Sequence, residues 1–399
     1  MTVQTRNVYY FSGFDPRGAA YYERLFRTEL RKFGCVVSLH TAGLQRASDP
    51  LSRQIVGTTP GNTTSSSTAD AGQTRLNLFL MKWDDIVRQH WLTTAWPLLI
   101  AGLEVYRTGL GKIPLRKVWQ ISHGAFWAGL LPLLLLGLML ASLTLVFLFS
   151  KALVDLVLPA SASQLHFPAL ILAAIVMIVT GAAVPVIAEK IGVLWLVRIF
   201  RFNLLLATEK LPEIGERQQA WVESIIRRQM DNPSDEVVLV GHSVGTIVLT
   251  EVARKLITDP RWQAMTGTTP TKILTLGNCI PFVSLHPNAD SFRDTVRMLS
   301  ECEAIEWWDI TAKIDPLCFY LSSPMGKAGE QCIAGKPALR AARFFRMYEP
   351  QQWKRMRRNK LELHFLYLKT PDIDRDFNLY RLICSASPLE VPMYGASHV

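Results

Sequence analysis

Ser243 is the residue whose surroundings best prepare it for chemistry. It is the centre of Gly241-His242-Ser243-Val244-Gly245. The apolar run Val237, Val238, Leu239 and Val240 stands before it, and TIVLTEVARKLI follows with helical spacing. A strand, a tight Gly-x-Ser-x-Gly turn and a helix make a nucleophile elbow. The sharp turn strains the serine backbone, and the flanking glycines remove side-chain clashes. The hydroxyl then stands clear of the sheet at a helix N-terminus, where it can attack an acyl carbon. The plainer alternative is a strand–helix turn in which Ser243 only caps the helix. No GxGxxG, Walker A or HExxH pattern is present, so no nucleotide or metal chemistry is written in motif form. The six cysteines are Cys35, Cys279, Cys302, Cys318, Cys332 and Cys384. They form no CxxC pair and no zinc-like cluster with histidine, and read as reduced thiols. The expectation is therefore no cofactor and no metal.

Strands and helices must place this serine. Residues 7–40 read as strand (VYYFSGF), turn (DPRG), helix (AAYYERLFRTELRKFG) and a short buried strand (CVVSL). Asp15 is the expected N-cap, with Pro16 at the first helical position. Residues 45–74 contain GTTPGNTTSSSTADAGQ and read as a long polar loop. LNLFLMKWDD resembles a strand, 212–232 a helix, and KILTLGN and EAIEWWDIT further strands. Strands alternating with helices predict a parallel α/β sheet. A unit of about 30 residues cannot bury a core alone. One sheet built from both ends of the chain, with the middle as an insertion, is the simplest arrangement.

With GHSVG in this setting the chain resembles the α/β-hydrolase superfamily, in particular its membrane-tethered members, over residues 7–40, 76–90 and 235–370. The resemblance implies a triad in the order serine, acid, histidine. EWWDITAKIDPL supplies the acid. Asp315, in the loop after the strand, matches the family position, and Asp309, inside the strand, is the alternative. Only His364 and His398 follow Asp315. His364 is preferred, although LELHFLYL reads as a strand. His364 would take the Ser243 proton and Asp315 would orient the imidazole. The implied oxyanion donors are the backbone N–H groups of Val244 and Phe14, with Gly13 allowing close approach. Arg17 reads as a solvated first-turn residue rather than an anion ligand.

The middle of the chain is apolar. Between Lys117 and Lys151, and again between Asp155 and Glu189, lie 33 residues free of Asp, Glu, Lys and Arg. About 20 apolar residues cross a bilayer core, so transmembrane helices are expected over about 122–150 and 166–188. Arg107, Lys112, Arg116 and Lys117 precede the first, and Lys190, Arg198, Arg201 and Lys210 follow the second. Lys151 alone, beside Asp155, lies between them. This bias puts both termini in the cytoplasm. The first 30 residues have no apolar signal-peptide core. Trp91 to Leu103 and Ile191 to Leu206 read either as interfacial segments or as core helices.

Residues 340–360 hold eight cations against Glu349 alone, interleaved with Phe344, Phe345, Met347, Tyr348, Trp353 and Met356. This is most of the excess behind the chain's net charge of +10. No nucleic-acid module accompanies the segment, and anionic headgroups are the nearer partner. A lid beside the active site and a solvated basic helix are the two roles considered for it.

The expected whole is an α/β-hydrolase-like, mostly parallel sheet flanked by helices and interrupted by a transmembrane hairpin. Residues 1–90 and 211–399 form the hydrolase parts and 91–210 the membrane insertion. The expected activity is cleavage of an amphipathic or lipid-like ester or thioester, with the bilayer as partner and no nucleic acid. A degenerate hydrolase-like scaffold that binds lipid or a protein is the alternative.

Overall fold

The computed structural model describes residues 2–38, 49–59, 74–157, 163–266, 271–325 and 335–392. An eight-stranded sheet runs through it in the order β2-β3-β4-β1-β5-β6-β7-β8. The strands are β1 (Thr5–Phe11), β2 (Val36–Ser38), β3 (Ser52–Thr58), β4 (Arg75–Met81), β5 (Glu236–His242), β6 (Thr271–Leu276), β7 (Ile305–Thr311) and β8 (Ala338–Ala341). From β4 through β8 all neighbours are parallel, and β2 and β3 add an antiparallel edge. Tyr9 of β1 stands opposite Phe79 of β4 on one side and Leu239 of β5 on the other. The two ends of the chain thus share one sheet.

Fifteen α-helical segments are described. The first seven are α1 (Gly18–Phe33), α2 (Asp84–Gln89), α3 (Ala95–Glu104), α4 (Leu115–Ile121), α5 (His123–Val157), α6 (Ser163–Lys190) and α7 (Val193–Ala207). Then come α8 (Pro212–Asp231), α9 (Gly245–Ile257), α10 (Pro260–Thr266), α11 (Pro281–Ser284) and α12 (Asp290–Glu301). The last three are α13 (Pro350–Met356), α14 (Lys360–His364) and α15 (Leu379–Cys384).

Strand side chains alternate between two faces. Tyr9 and Phe11 of β1 and Val237 and Leu239 of β5 join one core with Trp221 of α8, Val248 of α9 and Val296 of α12. Val8, Tyr10, Val238 and Val240 join the other, with Tyr22 and Phe26 of α1 and Tyr380 of α15. Burial on both faces explains why β5 carries a continuous apolar run rather than alternation.

Several local expectations change. Asp15 does not cap α1, which starts at Gly18 in a left-handed conformation (φ +76°). The Asp15 carboxylate instead accepts from Arg17 and from the Tyr22 hydroxyl. β2 is an exposed edge, with Val36 facing solvent, so CVVSL is not a buried strand. The polar stretch 45–74 contains β3, whose register on β4 runs from Ser52 opposite Met81 to Thr58 opposite Arg75. SRQIVGT has too few apolar residues to announce a strand, and pairing to β4 supplies what composition does not. Residues 39–48 and 60–73 lie outside the described residues.

The apolar middle divides in two. Among the described residues one helix, His123–Ala152 within α5, is long and apolar enough to cross a bilayer, and almost none of it is covered by protein. Pro132 sits inside it. Part of α6, from Ala174 to Lys190, passes the same test only together with α7, across a 70° bend. But α7 is a core helix, with Leu196, Ile199, Phe200, Phe202 and Leu205 buried among the sheet residues. Of the two readings of Ile191 to Leu206, the core helix is the one found. α3 is mixed: Leu98 and Ala101 are buried while Trp96, Leu99, Ile100 and Leu103 are exposed. Of the segment Pro159 to Gln164, residues 159–162 lie outside the described residues.

At the end of the strands away from Ser243, a buried ion network ties the sheet to the C-terminal segment. Arg6 pairs with Glu236 and donates to the carbonyls of Ile383 (2.9 Å), Ser385 (2.7 Å) and Ser387 (2.7 Å). Lys272 bridges Glu236 (3.3 Å) and Glu306 (2.9 Å). Removing one partner of a buried charge network leaves the rest uncompensated, at a cost of about 3–5 kcal/mol. Arg6→Met is therefore expected to lower stability by about that amount, read as a drop in the denaturation midpoint of detergent-solubilised protein.

Candidate active site

Ser243 closes β5 and opens α9 with φ +57°, one of three described non-glycine residues with positive φ. Its N–H donates to the Leu276 carbonyl (3.0 Å) and its carbonyl accepts from the Thr246 hydroxyl (2.6 Å). The flanking glycines are required by space. A Cβ on Gly241 would lie 2.9 Å from the Gly245 oxygen, and one on Gly245 2.2 Å from the Phe11 oxygen. Left-handed backbone costs a non-glycine residue about 1–3 kcal/mol. The turn is over-determined by β1, β5 and β6 around it.

Asp315 and His364, 49 residues apart in sequence, meet. The Nδ1–H of His364 donates to Asp315 Oδ2 (2.8 Å). The same oxygen accepts from the Tyr367 hydroxyl (3.1 Å), and Asp315 Oδ1 from Leu317 N–H (3.0 Å). Burial alone would raise the Asp315 carboxyl. The charge and hydrogen bond of His364, with the donors from Leu317 and Tyr367, outweigh it and hold the carboxyl below its usual range. Asp309 lies elsewhere in the sheet's interior, accepting from the Thr275 hydroxyl (2.5 Å) and the Asn278 amide (3.3 Å). His398 lies outside the described residues.

His364 is not on a strand. It ends the one-turn helix α14, which Asn359 caps by accepting from Glu362 N–H (3.1 Å), and a 3₁₀ turn Leu366–Leu368 follows. The alternation in LELHFLYL does not track burial: Leu361 is exposed, whereas Leu363, His364, Leu366, Tyr367 and Leu368 are all buried. Gly277, with φ +59°, makes room for the imidazole: a Cβ there would lie 3.1 Å from His364 Cε1 and 3.5 Å from Asp315 Oδ2.

The oxyanion candidates stand beside the serine. Val244 is the next residue and the N-cap of α9. Phe14 follows Gly13, at which a Cβ would lie 3.0 Å from Ser243 Cβ and 3.3 Å from its Oγ. The Phe14 ring packs on Phe202 with centroids 4.5 Å apart, which fixes this turn against α7. Arg17 is committed to Asp15 and lies over the rings of Tyr21 (3.9 Å) and Phe365 (4.8 Å). It lines the region without offering a free cation.

Three neighbours of the site were not singled out by sequence. His242, inside the pentapeptide, donates Nε2–H to the His364 carbonyl (2.8 Å). Burial, reinforced by His364, pushes its imidazole down to about 3, so it stays neutral. Its place in the motif was the only available signal. Tyr367 supports Asp315, and its spacing from His364 becomes informative only once the turn is known. Cys279 Sγ lies 3.9 Å from Ser243 Oγ. Its burial pushes the thiol up, away from thiolate. Both Ser243 and His364 are buried, and His364 Nε2 has no hydrogen-bond partner among the described residues. The serine hydroxyl faces Cys279, and the His364 Nε2 is buried without a partner among the described residues.

Residues 340–360 form neither one helix nor one strand. They comprise the end of β8, a 3₁₀ turn Phe344–Arg346 and α13. Phe344, Met347, Tyr348 and Met356 are buried, while Phe345 and the cations from Lys354 to Lys360 are exposed. Among the described residues no cluster of His, Cys, Asp and Glu could hold a metal. Comparison with family models, curated proteins and solved structures gives no match.

Burial pushes the Asp309 carboxyl up to about 7, against hydrogen bonds from Thr275 and Asn278 that favour its charge. The folded state keeps this proton where the unfolded chain has lost it. The group's stabilisation is full below about pH 4 and lost as pH rises through about 7. The melting temperature of the wild type minus that of Asp309→Asn is expected to fall between about pH 5 and about pH 8, as thermal unfolding of both proteins would show.

Proposed function

We propose that this chain is a membrane-anchored serine hydrolase of α/β-hydrolase type that cleaves an ester or thioester through an acyl-enzyme. The observation that carries the reading is the buried His364–Asp315 pair placed beside a serine held at positive φ. Ser243 Oγ turns from Cys279 toward the unpartnered Nε2 of His364 and gives up its proton as it attacks the acyl carbon. Asp315 keeps Nδ1 protonated and offsets the imidazolium charge. The backbone N–H groups of Val244 and Phe14 receive the carbonyl oxygen as charge develops. The imidazolium then protonates the leaving group, and water, activated by the same base, releases the acyl group.

The membrane reading rests on α5 and on the sheet. β1, which precedes α5, pairs directly with β5, which follows it, and β4 joins the same sheet through β1. If α5 crosses a bilayer, the chain must return before β5, so the number of crossings is even. Arg107, Lys112, Arg116 and Lys117 before the apolar segments, and Lys190, Arg198, Arg201 and Lys210 after them, favour the cytoplasm for both ends. The exposed Trp96, Leu99, Ile100 and Leu103 of α3 suit an amphipathic or lipid-like substrate delivered from the interface. Reporter fusions at residue 5 and residue 392 are expected to score on the same, cytoplasmic side; opposite sides would refute the paired topology.

The second reading is a non-catalytic scaffold that binds lipid or a protein, favoured by the serine hydroxyl facing Cys279 rather than His364. Fluorophosphonate labelling separates the two. Wild type is expected to label, Ser243→Ala not at all, and Asp315→Asn and His364→Ala more slowly by about 10²-fold or more. Folded wild type that does not label would favour the scaffold.

A further inference from the structure

The loop that carries Asp315 is held from its far side by the apolar helix. Ser122 accepts from Ala125 N–H (3.2 Å) at the start of α5, and its hydroxyl donates to the Cys318 carbonyl (3.1 Å). The Ser322 hydroxyl donates to the Ile121 carbonyl (3.3 Å). Between these ties the two backbones touch. A Cβ on Gly124 would lie 2.8 Å from Pro316 Cα and 3.1 Å from the Pro316 oxygen. Pro316 is the residue after Asp315, so backbone, not a flexible side chain, would have to yield. Ala125 and Ala128 are buried in the core as well, whereas the helix beyond them is almost bare.

The loop is also tied to the sheet and to the His364 turn, through Leu321 N–H to the Thr311 hydroxyl (2.9 Å) and through the Asp315 carboxylate to His364 and Tyr367. Asp315 N–H donates to Ala312 O (3.0 Å), Leu317 N–H to the Asp315 carboxylate (3.0 Å) and Phe319 N–H to Asn278 O (3.1 Å). No regular element spans it between β7 and β8 among the described residues. The foot of α5 adds a backbone contact at Pro316 that these ties do not supply.

We propose that the foot of α5 positions the triad acid, with Gly124 as the positioning residue. The proposal rests on the reading of Ser243 as nucleophile and adds a mechanical link. The apolar helix and the Asp315 carboxylate move together, so a shift of the helix relative to the sheet changes the hydrogen bond that orients His364. Gly124 touches no substrate and acts only through Pro316 and Asp315.

The test uses the full chain in lipid nanodiscs and reads the rate of fluorophosphonate labelling. Gly124→Val is made in the wild-type and in the Asp315→Asn background. In the wild-type background labelling is expected to slow by about 10²-fold, the scale of a 1 Å misplacement of a reacting group. In the Asp315→Asn background no further slowing is expected, because the route through the carboxylate is already cut. Gly124→Ala, with a smaller intrusion, and Ser122→Ala, which removes the Cys318 tie without adding bulk, carry the same comparison should the valine variant not fold. Equal slowing in both backgrounds, or none in any variant whose melting temperature is retained, overturns the proposal. Wild type that does not label, or Ser243→Ala that does, overturns the nucleophile reading itself, so the two failures are told apart.

Discussion

A single backbone angle governs the architecture around the site. Ser243 sits in the left-handed region, and that conformation persists only if the surrounding chain leaves no alternative. β1 closes in from one side until Phe11 O forbids a side chain at position 245. β6 offers the Leu276 carbonyl to the Ser243 N–H. Glycines stand where chains approach, and at Gly13 and Gly277 the approach is to the serine and to the histidine rather than within the turn. The parallel order of β1, β5 and β6 is what brings these three strand ends to one place. Strand ends of this kind are where open α/β sheets bind ligands.

Two aspartates from one stretch of chain show how environment divides roles. Asp309 lies within β7 and meets neutral partners, Thr275 and Asn278. Burial dominates there and pushes the carboxyl up to about 7. Asp315 lies six residues further, past the sheet's edge, and meets His364, Tyr367 and a backbone N–H. Donors and a partner that can carry positive charge outweigh the same burial. Only the second carboxylate suits the support of an imidazolium.

Sequence made the central strands legible because burial on both faces leaves unbroken apolar runs, as in Val237–Val240 and KILTL. It made the serine legible because strained turns demand glycines at fixed offsets. It was weaker where tertiary contact decides. β3 is polar and exists through β4. His364 sits in LELHFLYL, whose period of two reads as a strand, but the segment is buried in consecutive residues and folds as a capped helical turn followed by a 3₁₀ turn. Asp15 looked like a cap, but its carboxylate had a guanidinium and a phenol to satisfy. Ile191 to Leu206 carried the same apolar content as a surface-lying helix, and only its contacts with Phe14 and Phe282 identify it as core. The supports from His242 and Tyr367 depend on chain crossings that no local pattern records.

The pairing of β1 with β5 has a consequence for biosynthesis. Arg6 meets Glu236 across 230 residues of chain. At about 5–20 residues per second a ribosome needs about 10–50 s to supply that partner. Until then β1, joined by β4 once residues 75–81 have been made, keeps an unpaired parallel edge of Val8, Tyr10 and Phe11, the kind of edge that templates aggregation. The apolar helices emerge during the same wait. The bare apolar helix and the waiting strand edge are therefore exposed together on one nascent chain, and the turn at Ser243 cannot form until β5 has been made.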